Sequence, residues 1–571
     1  MYILLRTAIL IVAVFTAACG DVDDGPPPKG ADTVLTNGHI YTVDASRTWA
    51  EAVAITDGVI TYVGSDVAVD ASIGSSTTVI DLAGRMVLPA FQDSHIHPIS
   101  AGLEASACDL NAASDLAGYR AVIGEYAAAN PGIDWILGGG WSMPVFGAGG
   151  APSKSILDEL VPDKPVFLSS ADGHSGWANS RALEIAGITR DTPNPADGII
   201  DKDPETGALI GSLQEGAMSL VQTHIPPTSL NERRQGLLYS QKMLHGFGIT
   251  SIQDAIVNRK ELETYASLEA IDELKLRVVA ALWWDREKGE EQIENFLLLR
   301  EEFGDSALLH PTTVKIMQDG VLENYTAAML EPYLEGGGTL GIPMVEPERL
   351  KQVVPLLDAA GFQVHFHAIG DAAIRQALDA VEEAQIENGA LGNRHHISHL
   401  QVVHPDDIPR FAELDVIANF QPFWANADPY VLELNVPAIG EERTSWMYPI
   451  KSIQDSGGLV AFGSDWSVST ANPFPQMETA IDRLGALDEG YPPFTPEERI
   501  DLESAIAAFT INAAFLNKHE ESTGSIEVGK LGDLIVIDKN LFEIDTVDIS
   551  ETKVLVTLFG GQVVHGDLST L

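Results

Sequence analysis

Eight short apolar runs recur along the chain, at 86–91, 249–254, 276–283, 313–318, 362–367, 395–400, 415–421 and 459–464. Helix-like stretches such as Leu350 to Ala360 and Ala372 to Asn388 separate most of them. Eight strand–helix units in series predict an α/β fold, a (β/α)8 TIM barrel of parallel strands. The chain has 571 residues, enough for such a barrel plus satellites. The gap between the first two runs is far longer than a crossover needs, so an inserted subdomain of about 103–240 is expected. That insertion leaves the C-terminal end of a strand and should sit over the barrel mouth. Outside the barrel, both chain ends read as short strands and turns. Asn37-Gly38 and Asp57-Gly58 mark hairpins near the start, and Leu534 to Asp538 and Val554 to Val564 are apolar runs near the end. Neither end can bury both faces alone, so pairing into one composite β-sandwich is expected. The layout is then a signal peptide at 1–18, a tether at 19–31, β-sandwich parts at 32–88 and 516–571, and the barrel at 89–515.

Chemistry-bearing residues gather at the ends of these runs. His95 and His97 follow the first run, and a spacing of two on extended chain turns both imidazoles to one face. Two neutral imidazoles suit a borderline cation such as Zn²⁺. The fifth run ends in His365-Phe366-His367, the sixth in Ser398-His399 and the eighth in Gly463-Ser464-Asp465. Lys315 lies in the fourth among apolar neighbours, where a bare cation is costly. Carbamylation by CO₂ would turn it into a carboxylate-like metal ligand. The chain has 15 histidines, yet they return repeatedly to the strand ends, where a barrel keeps its catalytic groups.

The order HxH, Lys, His, His, Asp on strands 1, 4, 5, 6 and 8 resembles the amidohydrolase superfamily. Longer strings are similar to amidohydrolase family 3, the YtcJ-like branch that includes N-substituted formamide deformylases. They are Asp172-Gly173-His174-Ser175-Gly176-Trp177-Ala178-Asn179, His367-Ala368-Ile369-Gly370-Asp371, Gly463-Ser464-Asp465-Trp466 and Gly524-Ser525-Ile526-Glu527-Val528-Gly529-Lys530-Leu531-Gly532-Asp533. The resemblance runs from about residue 32 to the end. One string departs from it: Val321-Leu322-Glu323-Asn324 stands where deformylase-like members usually read Ser-Leu-Gly-Ser. That departure bears on the substrate and leaves the reaction class untouched.

The residues and the resemblance together imply a hydrolase that cleaves a non-peptide, N-acyl or N-formyl amide C–N bond by attack of a metal-bound hydroxide. One or two divalent ions, Zn²⁺ first among them, would be held by His95, His97, His367, His399 and Asp465, with Lys315 bridging if carbamylated. Asp465 would also shuttle the proton. His174 would hydrogen-bond the developing oxyanion. Trp141, His174 and Asp319 are the candidate substrate contacts. Alternatives left open are to line the pocket or pack the subdomain for Trp141, and to orient ligands or cap a turn for Asp319. His365, one layer deeper, reads as barrel core, and His395 and His396 as polar supports. The same metal chemistry on an ester, carbamate or cyclic amide is the second reading, and a non-catalytic regulatory surface protein the third.

Charge narrows the partners. With 82 acidic against 34 basic residues the formal net charge is −48, which repels nucleic acid and bounds the partners only negatively; a small amide-like substrate is what the resemblance implies. A homodimer stays open. Arg6 precedes an uncharged run, Thr7 to Gly20, that is short for a bilayer span and closes on Thr16-Ala17-Ala18-Cys19. This resembles a bacterial lipoprotein signal, so the expectation is an exported protein of the cell envelope, at a bacterial outer membrane or in the periplasm, lipidated at Cys19. The Pro-rich segment after it reads as a tether. Cys108, the other cysteine, is then without a partner and reads as a small buried residue. Cys19→Ser should move the protein from the membrane to the soluble fraction on cell fractionation; unchanged partition would point to an ordinary signal peptide or an anchor helix.

Overall fold

The computed structural model describes residues 30–147, 150–486 and 490–571. The expected signal peptide, Cys19 and nearly all of the tether lie outside those residues.

Eight parallel strands form one sheet in chain order: β1 (Phe91–Ile96), β2 (Ile249–Val257), β3 (Arg277–Trp283), β4 (Leu309–Met317), β5 (Gln363–Ala368), β6 (His396–His399), β7 (Ile417–Phe420) and β8 (Val460–Phe462). The sheet curls into a nearly closed barrel. Across the β8–β1 seam the Ser94 hydroxyl donates to the Phe462 carbonyl at 2.6 Å, and the Asp465 N–H donates to the His95 carbonyl at 2.8 Å.

Alternation along each strand sorts side chains between the barrel interior and the surrounding helices. In β5, Val364, Phe366 and Ala368 join the apolar core with Val353, Val354 and Leu357 of the helix Pro347–Ala359 and Ile374 and Leu378 of the helix Asp371–Asn388. The intervening Gln363, His365 and His367 form a polar series. Gln363 accepts from the Thr313 hydroxyl at 2.8 Å, and His365 Nε2 lies 2.8 Å from Ser398 Oγ. A polar barrel interior is tolerated because its members satisfy one another.

The first apolar run does not form one strand. Met86–Pro89 pairs antiparallel with Leu534–Ile537 in a separate six-stranded sheet, and the barrel strand begins only at Phe91. Pro89 has no N–H to continue a ladder, and the chain changes partners just beyond it. The Ala90 N–H donates to Asp533 O at 2.9 Å, whereas the Phe91 N–H donates to Gly248 O at 2.8 Å. That sheet draws strands from both ends of the chain, in the order Gln562–Gly566, Val554–Phe559, Leu534–Ile537, Met86–Pro89, His39–Tyr41, Trp49–Ala50. With a four-stranded sheet built on Thr33–Thr36 and Ala52–Thr56 it encloses a core of Leu35, Ile55, Val87, Leu534, Val536 and Leu558. Between β1 and β2 lies another six-stranded sheet, from Cys108–Asp109 to Leu209–Glu215, in which Cys108 is a buried free thiol.

A buried ion pair ties barrel to terminal sheet. Arg277, the first residue of β3, donates through Nε to Asp533 Oδ2 at 2.9 Å, and its guanidinium stacks 4.5 Å from the Phe559 ring centre. Asp533 Oδ1 also accepts the Gly560 N–H at 2.6 Å. Removing one partner of such a pair strands a charge, whereas replacing both with apolar groups costs far less. Asp533→Ala should therefore destabilise the protein by about 3 kcal/mol, read as a lower denaturation midpoint. The double variant Arg277→Met/Asp533→Leu should recover most of that loss.

Candidate metal centre and substrate cleft

The mouth of the barrel assembles from β1 and the segment after β8. His95 is buried inside β1 and His97 is the residue following it, 19% exposed at its side chain. Their Nε2 atoms lie 3.3 and 3.0 Å from Asp465 Oδ1, and among the described residues these three offer ligand atoms within 4.8 Å of one another. Asp465 stands three residues beyond β8 rather than at its last residue. It is held at φ 53°, and His399 at φ 81°, backbone conformations that cost non-glycine residues about 1–3 kcal/mol each. Glycine is required two residues before Asp465: a Cβ on Gly463 would come within 2.5 Å of the His95 backbone nitrogen.

These residues fit a divalent cation. Asp465 Oδ1 and His399 Nδ1 are buried with no hydrogen-bond partner, and His399 Nδ1 lies 3.9 Å from Asp465 Oδ2. Burial, helped by Lys315, pushes His95 down to about 3, and burial holds His367 and His399 well below the usual imidazole range. The imidazoles are therefore neutral and keep a lone pair for a metal. His367 and His399 stand beside the three-residue cluster, their rings 4.4 Å apart. Lys315 Nζ lies 3.5 Å from His95 Nε2 and 3.3 Å from His365 Nε2, and burial pushes its amine down to about 7 although Asp465 pulls upward. His365 is a support: its Nε2 meets His95 Nδ1 at 2.9 Å.

His174 comes from the inserted sheet and faces this cluster, its ring 5.2 Å from that of His367. The sequence offered no sign of its partner, Glu215, which lies 41 residues on and places both carboxylate oxygens 3.0 Å from His174 Nδ1. Burial pulls His174 down, but the charge and hydrogen bond of Glu215 outweigh it, with Asp172 and Asp465 adding to the lift, and the imidazole rises to about 9. It is a cation at neutral pH. Glu215 is fixed in turn by the Thr326 hydroxyl at 2.8 Å.

Two expected substrate contacts lie elsewhere. Trp141 is fully buried in the core of the inserted sheet with Trp177 and Met143, and its indole N–H donates to Leu168 O at 2.9 Å. Asp319 is fully buried beneath the mouth. Its carboxylate accepts the N–H groups of Ile369, Gly370 and Ala328 at 3.0, 2.9 and 3.0 Å, and so fixes the turn after His367. Among the other histidines, His395 accepts the Val364 N–H and contacts Asp358 at 3.0 Å.

The cleft has two lobes that share Asp172, His174, His367, His399 and Asp465. One lobe, about 310 Å³, is lined by His95, His97, Lys315, Glu215, Glu104 and Arg286. The other, about 240 Å³, is lined by Glu323, Asn435, Phe423, Trp424, Tyr430 and Tyr448. Burial pushes Glu323 up to about 7 against the hydrogen bonds of Asn435 and Gln401.

A parallel eight-stranded barrel with a His-His-Asp cluster at its mouth defines a metal-dependent hydrolase of the amidohydrolase class. The amidohydrolase family model matches residues 78–565, and the chain belongs to that family. It is 32% identical to "Protein LONG AFTER FAR-RED 3" of Arabidopsis thaliana, covering 94% of this chain and 93% of that protein. It is 26% identical to N-substituted formamide deformylase of Arthrobacter pascens, covering 93% and 97%. A crystal structure of an uncharacterised metal-dependent hydrolase from Pyrococcus furiosus superposes with a TM-score of 0.68 at 25% identity, covering 89% of this chain and 99% of that one.

If His174 donates a hydrogen bond to substrate as a cation, catalysis needs it protonated, a condition met below about pH 9 and lost above it. Glu215→Gln removes the charge that raises it and leaves the burial that lowers it. The alkaline limb of the kcat/KM profile should then fall by roughly 1–3 pH units; an unmoved limb would exclude His174 as the donor.

Proposed function

We propose that this protein hydrolyses the C–N bond of a small N-acyl or N-formyl amide, with His95, His97 and Asp465 holding the metal, His367 and His399 completing its surroundings, and Lys315 joining them when carbamylated. The observation that carries the reading is the pairing across one cleft of the His95-His97-Asp465 cluster with a cationic His174. The likeness to a formamide deformylase supports the same bond type.

Nitrogen and carboxylate donors of this kind suit Zn²⁺. The ion, when bound, supplies a water acidified toward neutral pH and a Lewis-acid pull on the carbonyl oxygen. The chain's own groups do the rest. His174 donates a hydrogen bond to the carbonyl oxygen as negative charge grows there, and Glu215 keeps it protonated and oriented. Asp465 accepts the proton of the attacking water and returns it to the amide nitrogen, which leaves as an amine. Asp319 and His365 hold the metal-facing residues in place. His174 reaches the reacting groups from the inserted sheet, so the barrel and the insertion each supply part of the site.

Asp465→Asn keeps the shape but cannot take a proton. With metal content measured on the same sample, kcat on a panel of N-formyl and N-acyl amides should drop about 10²–10⁴-fold while substrate still binds. Turnover near the wild-type rate in a metal-replete variant would overturn the assignment. Esters and carbamates in the panel separate the amide reading from its nearest alternative.

A further inference from the structure

The Glu323 lobe carries a buried carboxyl group that the hydrolytic reading leaves unused. Glu323 is 9% exposed, yet Oε1 meets only neutral donors, Asn435 Nδ2 at 3.1 Å and Gln401 Nε2 at 3.4 Å. No lysine or arginine is among the described residues lining this lobe, and the cationic His174 that it shares with the other lobe is paired with Glu215. Asn435 is fully buried, and its Oδ1 has no hydrogen-bond partner. Asp172, shared by both lobes, likewise keeps Oδ2 buried and unmatched while Oδ1 accepts the Ser170 hydroxyl and the His174 N–H. The lobe therefore presents surplus acceptors. Its walls are aromatic: Phe423, Trp424, Tyr430 and Tyr448 line it, and Trp424 stacks at 5.6 Å and 17° on His399, so the wall reaches to the metal centre.

We infer that this lobe is a cation subsite, in which Glu323 and Asn435 select substrates bearing a protonated amine on the group that enters it. An ammonium offers three donors and no acceptor, which is what surplus acceptors lack. A cation beside a desolvated carboxylate removes the cost of burying that charge, and aromatic faces add attraction. A neutral group of the same size does neither. The volume of about 240 Å³ exceeds the roughly 150 Å³ that accepts a benzene ring, so an aminoalkyl or aminomethyl-aryl substituent fits. The excess of acidic residues over the whole chain favours approach of a cation to the cleft.

The inference rests on the proposed hydrolysis only for what happens next to the subsite; the subsite is tested by binding. Calorimetry at physiological salt compares benzylammonium with benzyl alcohol on the metal-loaded protein and on Glu323→Gln, a variant that keeps an acceptor for Asn435 and Gln401. Benzylammonium should bind at least about tenfold more tightly to the wild type, and the preference should vanish in Glu323→Gln. Equal affinities on the wild type, or a preference that survives in the variant, would overturn the proposal. The wild-type comparison decides even if the variant fails to fold. N-formylbenzylamine and its 4-aminomethyl derivative then link binding to turnover, the second expected to have the higher kcat/KM. Ammonium preference without hydrolysis of either would sink the amide reading and leave the subsite standing.

Discussion

The His95-His97-Asp465 cluster depends on how the barrel closes. β1 and β8 are the two edge strands of the sheet, and the Asp93 carboxylate bridges the seam between them: its Oδ1 accepts the His95 N–H at 3.1 Å and the Ser464 N–H at 2.9 Å. The Asp465 N–H bonds to the His95 carbonyl one step further out, and the His97 N–H to the Trp466 carbonyl at 3.1 Å. These contacts fix the backbones of His95, His97 and Asp465 to one another before any side chain is considered. The cluster is thus a by-product of the seam. Strain at Asp465 is affordable because the seam is bonded on both sides of it.

Against this rigid half, the inserted sheet supplies the other. His174 and Glu215 face each other because antiparallel pairing sets Ser175 opposite Gln214, and the next step brings the Glu215 N–H to the His174 carbonyl at 2.9 Å. Register thereby fixes an ion pair over the metal side of the cleft. Gly320 completes the arrangement by having no Cβ, which would lie 2.1 Å from Thr326 Oγ1 and 2.3 Å from Glu215 Oε1. The two lobes meet at His174, His367, His399 and Asp465; one extends to His95, His97 and Lys315, the other to Glu323 and an aromatic wall.

Much of this was legible in the chain because strands buried on both faces must be written as apolar runs, and because imidazoles are rare enough to stand out at their ends. His95, His97 and Asp465 were readable for that reason. Glu215 was not, since its partner is set by strand register and no local pattern records it. Trp141 follows three glycines, a setting that leaves pocket lining and subdomain packing equally open; strand pairing draws it into the core, where Leu168 satisfies its indole. For Asp319 the sequence leaves open a ligand-orienting or a turn-capping role, and three backbone N–H groups hold it to the turn. The 86–91 run misled because an apolar run does not say where its partner changes; only Pro89 hinted at the break.

The sheet joining both chain ends has a consequence for biosynthesis. Met86–Pro89 leaves the ribosome more than four hundred residues before its partner Leu534–Ile537. At 5–20 residues per second that delay is roughly 20–90 s, during which an apolar strand edge has no mate. Unmatched edges of this kind invite pairing with other chains. A nascent molecule therefore carries its greatest aggregation hazard at its own beginning, and relief comes only when its last strands emerge.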